Sequence, residues 1–212
     1  MAVPLVVEKI IRKRVFPKIQ NNRIKLLLQM PVISKKVKEK ICEQVYAAFG
    51  GNAYEVIVGG AALNQEVESF LKSVDFPITT GYGTTECAPL ITYSDYRDFV
   101  PTSCGTPVKG MEVKIVSSDP AHIPGEIVTR GRNVMLGYFK NQEATDEVLD
   151  KDGWYHTGDL ATMSADGHVF IRGRIKNMLL GANGQNIYPE EIEDRLNSMP
   201  MVAECLIIQQ GD

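Results

Sequence analysis

The chain has 212 residues, of which 44% are hydrophobic and 23% charged, and its net charge is −3, all of which is typical of a soluble globular protein of one or two domains. Its apolar runs stop short of bilayer length and its first residues do not resemble a cleavable signal, so we expect a cytoplasmic protein. The four cysteines and three histidines lack the spacing of metal ligands or of a redox dithiol, which argues against both kinds of site.

Positive charge is concentrated at the start of the chain. Residues 1–40 hold eleven Lys and Arg residues against Glu8 and Glu39. Between Glu8 and Phe16, basic and apolar residues alternate at near-helical spacing, so this segment could lie on an anionic membrane surface. The alternative, which we favour, is a solvated basic helix that packs on a neighbour missing from this sequence. No recognition motif accompanies the charge, so nucleic acid is not an expected partner.

The first hundred residues predict helices followed by part of a parallel sheet. Residues 3–20 and 34–48 have amphipathic helical periodicity, and Pro17 and Pro31 are expected to divide this region into short helices.

A strand–helix–strand unit is predicted next. Residues 54–58 read as a buried strand, Asn64 as the N-cap of a helix ending near residue 74, and residues 76–80 as a second strand, which together make one crossover unit. A turn at residues 81–86 follows directly, at the edge of a parallel sheet where ligands commonly bind.

The second half of the chain predicts short strands and then a final α+β segment. Four alternating segments favour a small antiparallel sheet or barrel: 111–116, 125–130, 160–163 and 168–172. After Arg174 we expect an apolar segment at 178–180, a turn at 181–184, a helix from Pro189 through Leu196 and a strand at 205–208.

The turn at residues 81–86 combines an aromatic ring, two glycines, two threonine hydroxyls and a carboxylate. Such a set could stack on a base, let the backbone approach a phosphate, and hold Mg²⁺ through Glu86. Taken alone, the same residues could equally form a polar turn without a ligand.

Two later motifs add complementary groups. Asp159 follows a Thr-Gly turn in the segment 153–159 and could accept hydrogen bonds from both hydroxyls of a ribose. Arg174, in the segment 173–176, places a permanent cation on a short turn, which suits a ribose or a phosphate. The alternatives are a structural hairpin with a buried tryptophan and an exposed basic turn.

Five motifs together resemble the superfamily of acyl-CoA synthetases, peptide-synthetase adenylation domains and firefly luciferases, in the order in which that superfamily has them. They are Gly59-Gly60-Ala61-Ala62, residues 81–86, Gly125-Glu126-Ile127 with Gly131 and Gly137-Tyr138, residues 153–159, and Gly173-Arg174 with Lys176. Within this superfamily, residues 137–141 and 185–193 are most similar to bacterial long-chain fatty acid CoA ligases.

The resemblance implies a nucleotide site for ATP and AMP. Its residues would be Gly60, Ala61, Ala62, Tyr82, Gly83, Thr84, Thr85, Asp159 and Arg174. Tyr82 would stack on adenine, Thr85 would contact the α-phosphate, Asp159 would hold the ribose, and Glu86 would bind magnesium and act with Thr85 in catalysis.

The resemblance also implies moving parts. Lys176 would be the hinge about which a small C-terminal domain swings, and Gly181, Asn183 and Gly184 would face CoA after that swing.

The fold implied is α/β: part of a parallel-sheet subdomain, a small antiparallel barrel-like subdomain, and the truncated start of an α+β C-terminal domain. The expected boundaries are 1–100, 101–175 and 176–212. The family's phosphate-binding loop and its late adenylation lysine have no counterpart in these 212 residues, so we expect a fragment that is inactive alone.

The function implied is the AMP-binding portion of a ligase that uses ATP to convert a fatty acid to an acyl-adenylate and transfers the acyl group to CoA. The alternatives are a non-catalytic nucleotide- or acyl-binding module and an adenylation domain that loads a carrier protein. Membrane contact through the basic helix and pairing of truncated chains through exposed apolar residues are further expectations.

Overall fold

The computed structural model describes most of the chain, namely residues 1–19, 31–181, 183–197, 199, 201–202 and 204–209. The chain divides into two compact units. The first comprises Met1–Thr80 and Asp95–Pro101, and the second comprises Gly81–Ser94 and Thr102–Asp212.

The first unit begins with helices whose apolar face is buried. Helix α1 (Pro4–Ile10) runs into a π-helical turn (Ile11–Val15) and helix α2 (Phe16–Ile19), and helix α3 spans Pro31–Ala48. Helical conformation therefore continues through Pro17, directly after the π-helical turn, where the regular hydrogen-bond ladder is already interrupted. Pro31 opens α3 three residues earlier than predicted, at a position where its missing N–H costs nothing.

A parallel strand pair follows the helices, as predicted. Strand β1 (Val56–Val58) pairs in parallel with strand β2 (Ile78–Gly83), and helix α4 (Gln65–Ser73) connects them. The core of this unit lies between the helices and the strands and includes the fully buried side chains of Val7, Ile11, Val15, Val45, Val58, Val67 and Leu71.

Asn64 caps α4, as the sequence predicts. Its Oδ1 accepts hydrogen bonds from the backbone N–H groups of Glu66 (3.1 Å) and Val67 (3.3 Å). We expect Asn64→Ala to lower the free energy of unfolding by about 1 kcal/mol, because these donors lose their acceptor. Urea denaturation would measure the change. Ser69→Ala, at an exposed position in the same helix, is the matched control and should stay within about 0.5 kcal/mol of wild type.

The turn predicted at residues 81–86 is partly strand. Strand β2 extends to Gly83 because its second half pairs antiparallel with strand β3 (Leu90–Tyr93), and a 3₁₀ helix (Thr85–Cys87) makes the turn between them. A short strand β4 (Thr106–Pro107) pairs with β3. The predicted glycine-rich turn is thus shorter and more tightly defined than its sequence suggests.

The second unit contains an antiparallel sheet of four strands in sequential order. They are β5 (Met111–Val116), β6 (Gly125–Gly131), β7 (Tyr155–Met163) and β8 (Val169–Arg174). The four predicted segments are confirmed. No strand pairing closes the sheet among the described residues, so the barrel-like detail is not confirmed. Helix α5 (Gln142–Val148) precedes β7 and was not predicted.

The last part of the chain follows β8. A 3₁₀ turn (Ile175–Asn177) leads to a hairpin of strands β9 (Leu179–Leu180) and β10 (Asn186–Ile187), and then to helix α6 (Pro189–Asn197), which confirms the predicted helix.

The strand predicted at 205–208 is wrong. Residues 204–209 have no regular secondary structure, and the N–H of Ile207 donates to Glu193 Oε1 at 2.7 Å. An apolar run forms a strand only beside a partner, and the described residues provide none here. Within the same described residues, no helix has both the length and the apolar character needed to span a bilayer.

Candidate functional site

The structure brings Tyr82, Asp159 and Arg174 into direct contact. The Tyr82 hydroxyl donates to Asp159 Oδ2 at 2.6 Å, and Arg174 Nε lies 2.9 Å from Asp159 Oδ1. Strands β7 and β8 place Asp159 and Arg174 opposite each other in the sheet register. Asp159 is only 6% exposed, and donors from two different strands fix the orientation of its carboxylate.

Tyr82 keeps its proton in this arrangement. Burial raises the pKa of the Tyr82 hydroxyl, and the negative charge of Asp159 raises it further. The hydroxyl is therefore a permanent donor at neutral pH. Each carboxylate oxygen of Asp159 has one such partner and can accept one further hydrogen bond.

The backbone before Asp159 is held by Glu126. Glu126 Oε1 accepts from the N–H of Gly158 at 3.1 Å, and Oε2 lies 2.9 Å from His156 Nδ1. Gly158 has a φ of +70°, a conformation that favours glycine. Glu126 was noted in the sequence only as part of a motif, and no local pattern pointed to this contact across strands.

A second carboxylate, Glu86, lies on the 3₁₀ turn that follows β2. The Tyr138 hydroxyl donates to Glu86 Oε1 at 2.9 Å. Burial would raise the pKa of Glu86, but the nearby donors, among them its own backbone N–H and the Tyr138 hydroxyl, outweigh that effect, and its pKa is lowered. Glu86 is therefore ionised at neutral pH.

Tyr155 lies near both Glu86 and Tyr82. It is buried on β7, the strand that carries Asp159, and Tyr82 packs against the buried cluster that contains Tyr155. Burial raises the pKa of the Tyr155 hydroxyl, and the charge of Glu86 raises it as well. The Tyr155 hydroxyl therefore stays protonated at neutral pH. That Glu86 and Asp159 face one cleft stays a prediction.

The other predicted site residues occupy three places. Thr84 is half-buried and Thr85 exposed on the Glu86 turn, while Gly83 ends β2. Gly60, Ala61 and Ala62 are exposed and follow β1 in the first unit. Those after β8 are Lys176, exposed on a 3₁₀ turn, and Gly181, Asn183 and Gly184, in the loop between β9 and β10.

The arrangement offers an anionic acceptor pair at Asp159, a guanidinium beside it, and a second, ionised carboxylate at Glu86. Within the described part of the chain, no group of three or more His, Cys, Asp or Glu side chains could hold a metal ion. Glu86 could therefore contribute a single protein ligand to a metal that takes its remaining ligands from a phosphate group or water.

Comparison with known proteins gives a consistent result. The model of the family described as "AMP-binding enzyme" matches residues 1–139. The chain is 43% identical over 156 residues to a long-chain-fatty-acid--CoA ligase of Escherichia coli O157:H7, covering 71% of this chain and 28% of that protein. It is 37% identical over 167 residues to 4-coumarate--CoA ligase 1 of Glycine max, covering 73% of this chain and 56% of that protein.

A solved structure shows the same fold. O-succinylbenzoate Coenzyme A synthetase from Bacillus subtilis, in complex with AMP, superposes with a TM-score of 0.71 at 26% identity, covering 84% of this chain and 37% of that one. The chain thus spans little more than a quarter of the length of the first curated relative. Because the family model covers 139 of the 212 residues, this chain belongs to the family of AMP-binding enzymes.

Proposed function

We propose that the chain forms the AMP-binding surface of a ligase that activates a long-chain fatty acid with ATP and transfers it to CoA. The observation that carries the proposal is the buried Asp159 carboxylate, held by Tyr82 and Arg174 with one acceptor position left on each oxygen. A ribose presents two adjacent hydroxyl donors, which match these two positions. The relatives named as long-chain fatty acid CoA ligases support the choice of substrate.

The chemistry is the activation of a carboxylate, which is a poor electrophile until it is joined to a good leaving group. Reaction with ATP makes a mixed anhydride with AMP and releases pyrophosphate, and the CoA thiol then displaces AMP. In this proposal the Tyr82 ring contacts adenine, Thr85 the α-phosphate, and Asp159 and Arg174 the ribose. Gly83, which has no side chain, would allow the nucleotide to approach the backbone closely.

Magnesium fits the Glu86 side of this surface. Mg²⁺ in nucleotide sites is commonly held by one or two carboxylates together with phosphate oxygens and water, and Glu86 supplies one ionised, half-buried carboxylate. A bound Mg²⁺ would offset phosphate charge that otherwise repels the fatty acid carboxylate. Glu86 and its hydroxyl neighbours would orient that ion.

Nucleotide binding by this chain is the direct test. Isothermal titration calorimetry should show saturable binding of AMP. The analogue 2′,3′-dideoxyadenosine monophosphate should bind more weakly, because it lacks the two hydroxyls that donate hydrogen bonds to Asp159. Equal affinity for the two would contradict the proposed ribose site. Product analysis with the full-length protein then separates a CoA ligase from a carrier-protein ligase, since only the former forms acyl-CoA.

We also propose that Lys176 is a hinge. Lys176 lies exposed on the 3₁₀ turn after β8. Helix α6 contacts β8 and this turn through two hydrogen bonds. Arg172 of β8 donates to Glu191 at 3.3 Å, and Asn177 of the turn donates to Glu190 at 2.7 Å. Rotation about this turn would bring Gly181, Asn183 and Gly184 toward CoA.

Hydrogen exchange tests the hinge. Strands β9 and β10 form a hairpin with only two residues in each strand, and such a hairpin has little stability of its own. Backbone amides after Met178 should therefore exchange faster than those at 54–58 and 168–172. Equal protection across Lys176 would contradict a hinge at this position.

The cellular setting is a further proposal. We propose a cytoplasmic location, which agrees with the free thiols of Cys42 and Cys87. We further propose that the exposed side chains of Lys9, Lys13 and Arg14 contact an anionic membrane surface.

Pairing of two chains is a separate proposal. The side chains of Leu206 and Ile208 are 77% and 75% exposed and could form an apolar contact between chains.

A further inference from the structure

The loop that follows strand β6 wraps around the turn that carries Glu86. We call residues 133–138 the brace loop. Its Met135 N–H donates to the Glu86 carbonyl oxygen at 2.7 Å, and the Asn133 side-chain amide donates to the carbonyl oxygens of Cys87 (2.7 Å) and Leu90 (2.8 Å). The brace loop therefore fixes the backbone at Glu86 and in the residues that follow it.

The brace loop also holds the Glu86 side chain, through Tyr138. The Tyr138 hydroxyl donates to Glu86 Oε1 at 2.9 Å, across 52 residues of sequence. Leu136 and Phe139, which lie close to Tyr138 in sequence, are 102% and 89% exposed, so burial of their side chains does not anchor this part of the chain. Tyr138 itself is 36% exposed, and its specific contact is therefore the hydrogen bond to the carboxylate.

The position of Tyr138 is set by Thr145 and Asn141. The Tyr138 N–H donates to Thr145 Oγ1 at 2.9 Å, and that hydroxyl donates in turn to the Asn141 carbonyl at 2.8 Å. Asn141 caps helix α5 by accepting from the N–H of Ala144 at 3.1 Å. A side chain at Gly137 would lie 2.8 Å from Thr145, so this close packing requires glycine. These contacts fix the backbone at Tyr138, and thereby hold its hydroxyl in position to donate to Glu86.

We propose that Tyr138 is a positioning residue that fixes the Glu86 carboxylate for Mg²⁺ bound to a nucleotide. The hydroxyl bonds to Oε1 and takes up one of the roughly four acceptor positions of the carboxylate, so the group can still bind an ion. A carboxylate already held in one orientation loses less conformational freedom when it binds a metal, and binds it more tightly. This inference rests on the proposed function, in which Glu86 is the magnesium ligand.

The test compares nucleotide binding with and without the metal. For each protein, AMP affinity in EDTA reports the ribose and adenine contacts, and the gain in ATP affinity on adding Mg²⁺ reports the metal contact. Tyr138→Phe keeps the ring and removes the hydroxyl, so we expect it to lower the magnesium-dependent gain about fivefold. Glu86→Gln should lower it further. Adding Tyr138→Phe to Glu86→Gln should change nothing more, because the hydroxyl acts through that carboxylate.

Tyr54→Phe, which removes the hydroxyl of a tyrosine that is 76% exposed, is the matched control and should behave as wild type. If Tyr138→Phe weakens AMP binding in EDTA as much as ATP binding with Mg²⁺, Tyr138 has a structural role only and the inference fails. The inference also fails if wild type binds AMP but magnesium does not increase its affinity for ATP. In that case the proposed AMP site still stands. Absence of AMP binding by wild type would overturn the proposed function, and the inference with it.

Discussion

Asp159→Ala is expected to weaken AMP binding about a hundredfold, because the ribose hydroxyls lose their charged acceptor. Hydrogen bonds to a charged group contribute about 1.5–3 kcal/mol each, so the loss of two corresponds to roughly 3 kcal/mol or more, and about 1.4 kcal/mol is tenfold in affinity. The substitution also leaves the Tyr82 hydroxyl without its acceptor. Isothermal titration with AMP measures the loss of affinity, and urea denaturation measures any accompanying loss of stability.

Graded variants separate the ribose contact from the support of the site. Asp159→Asn keeps the volume and one acceptor for Tyr82 but loses the charge, so an intermediate effect of about tenfold is expected. Tyr82→Phe keeps the ring and removes only the bond to Asp159, and should cost less than Asp159→Ala. Asp98→Asn, at an exposed turn of the first unit, is the matched control and should bind AMP as wild type does. Unchanged affinity in Asp159→Ala would contradict the assigned site.

The elements that could be predicted from sequence are those with a clear local signal. The strand at Met111–Val116 alternates in hydrophobicity, and the structure gives it the predicted bounds. The cap at Asn64 is likewise a local feature. Strand β7 begins at Tyr155, whereas the sequence predicted a start at residue 160. The first half was missed because His156 and Gly158 break the alternation of polar and apolar residues. In the structure this half is held by contacts to Glu126. That support lies thirty residues away and leaves no periodic trace.

Site residues divide in the same way. Tyr82, Asp159 and Arg174 were identified through motifs and their order, and the structure places Tyr82 and Arg174 each within hydrogen-bonding distance of Asp159. Tyr138 was part of a motif too, but nothing in its local sequence indicates a contact with Glu86. Such a contact depends on how the chain returns past an earlier turn, which hydrophobic patterning does not encode. The strand predicted at 205–208 failed for the same reason, since strand formation depends on a neighbour.

The close approach at Gly83 predicts the largest loss of stability. A Cβ added to Gly83 would lie 1.8 Å from the carbonyl oxygen of Pro89 and 2.9 Å from the Cα of Leu90. Both atoms belong to the backbone, which cannot move aside by a rotamer change. Gly83→Ala should therefore separate β2 from β3 at this point and lower the free energy of unfolding by about 3 kcal/mol, the upper part of the usual range for overpacking. Urea denaturation would measure it.

The same substitution should also weaken AMP binding, because Gly83 lies between Tyr82 and the turn that carries Glu86, and a shift of the backbone moves both. Gly110→Ala is the control. Gly110 has a φ of +91° and no atom within 4 Å of an added Cβ, so its substitution introduces only conformational strain, on the order of 1 kcal/mol. The two variants thus separate steric crowding from backbone strain. A Gly83→Ala protein as stable as wild type would mean that β2 and β3 can separate at Gly83 without cost, and that the tight turn is not what positions Tyr82 and Glu86.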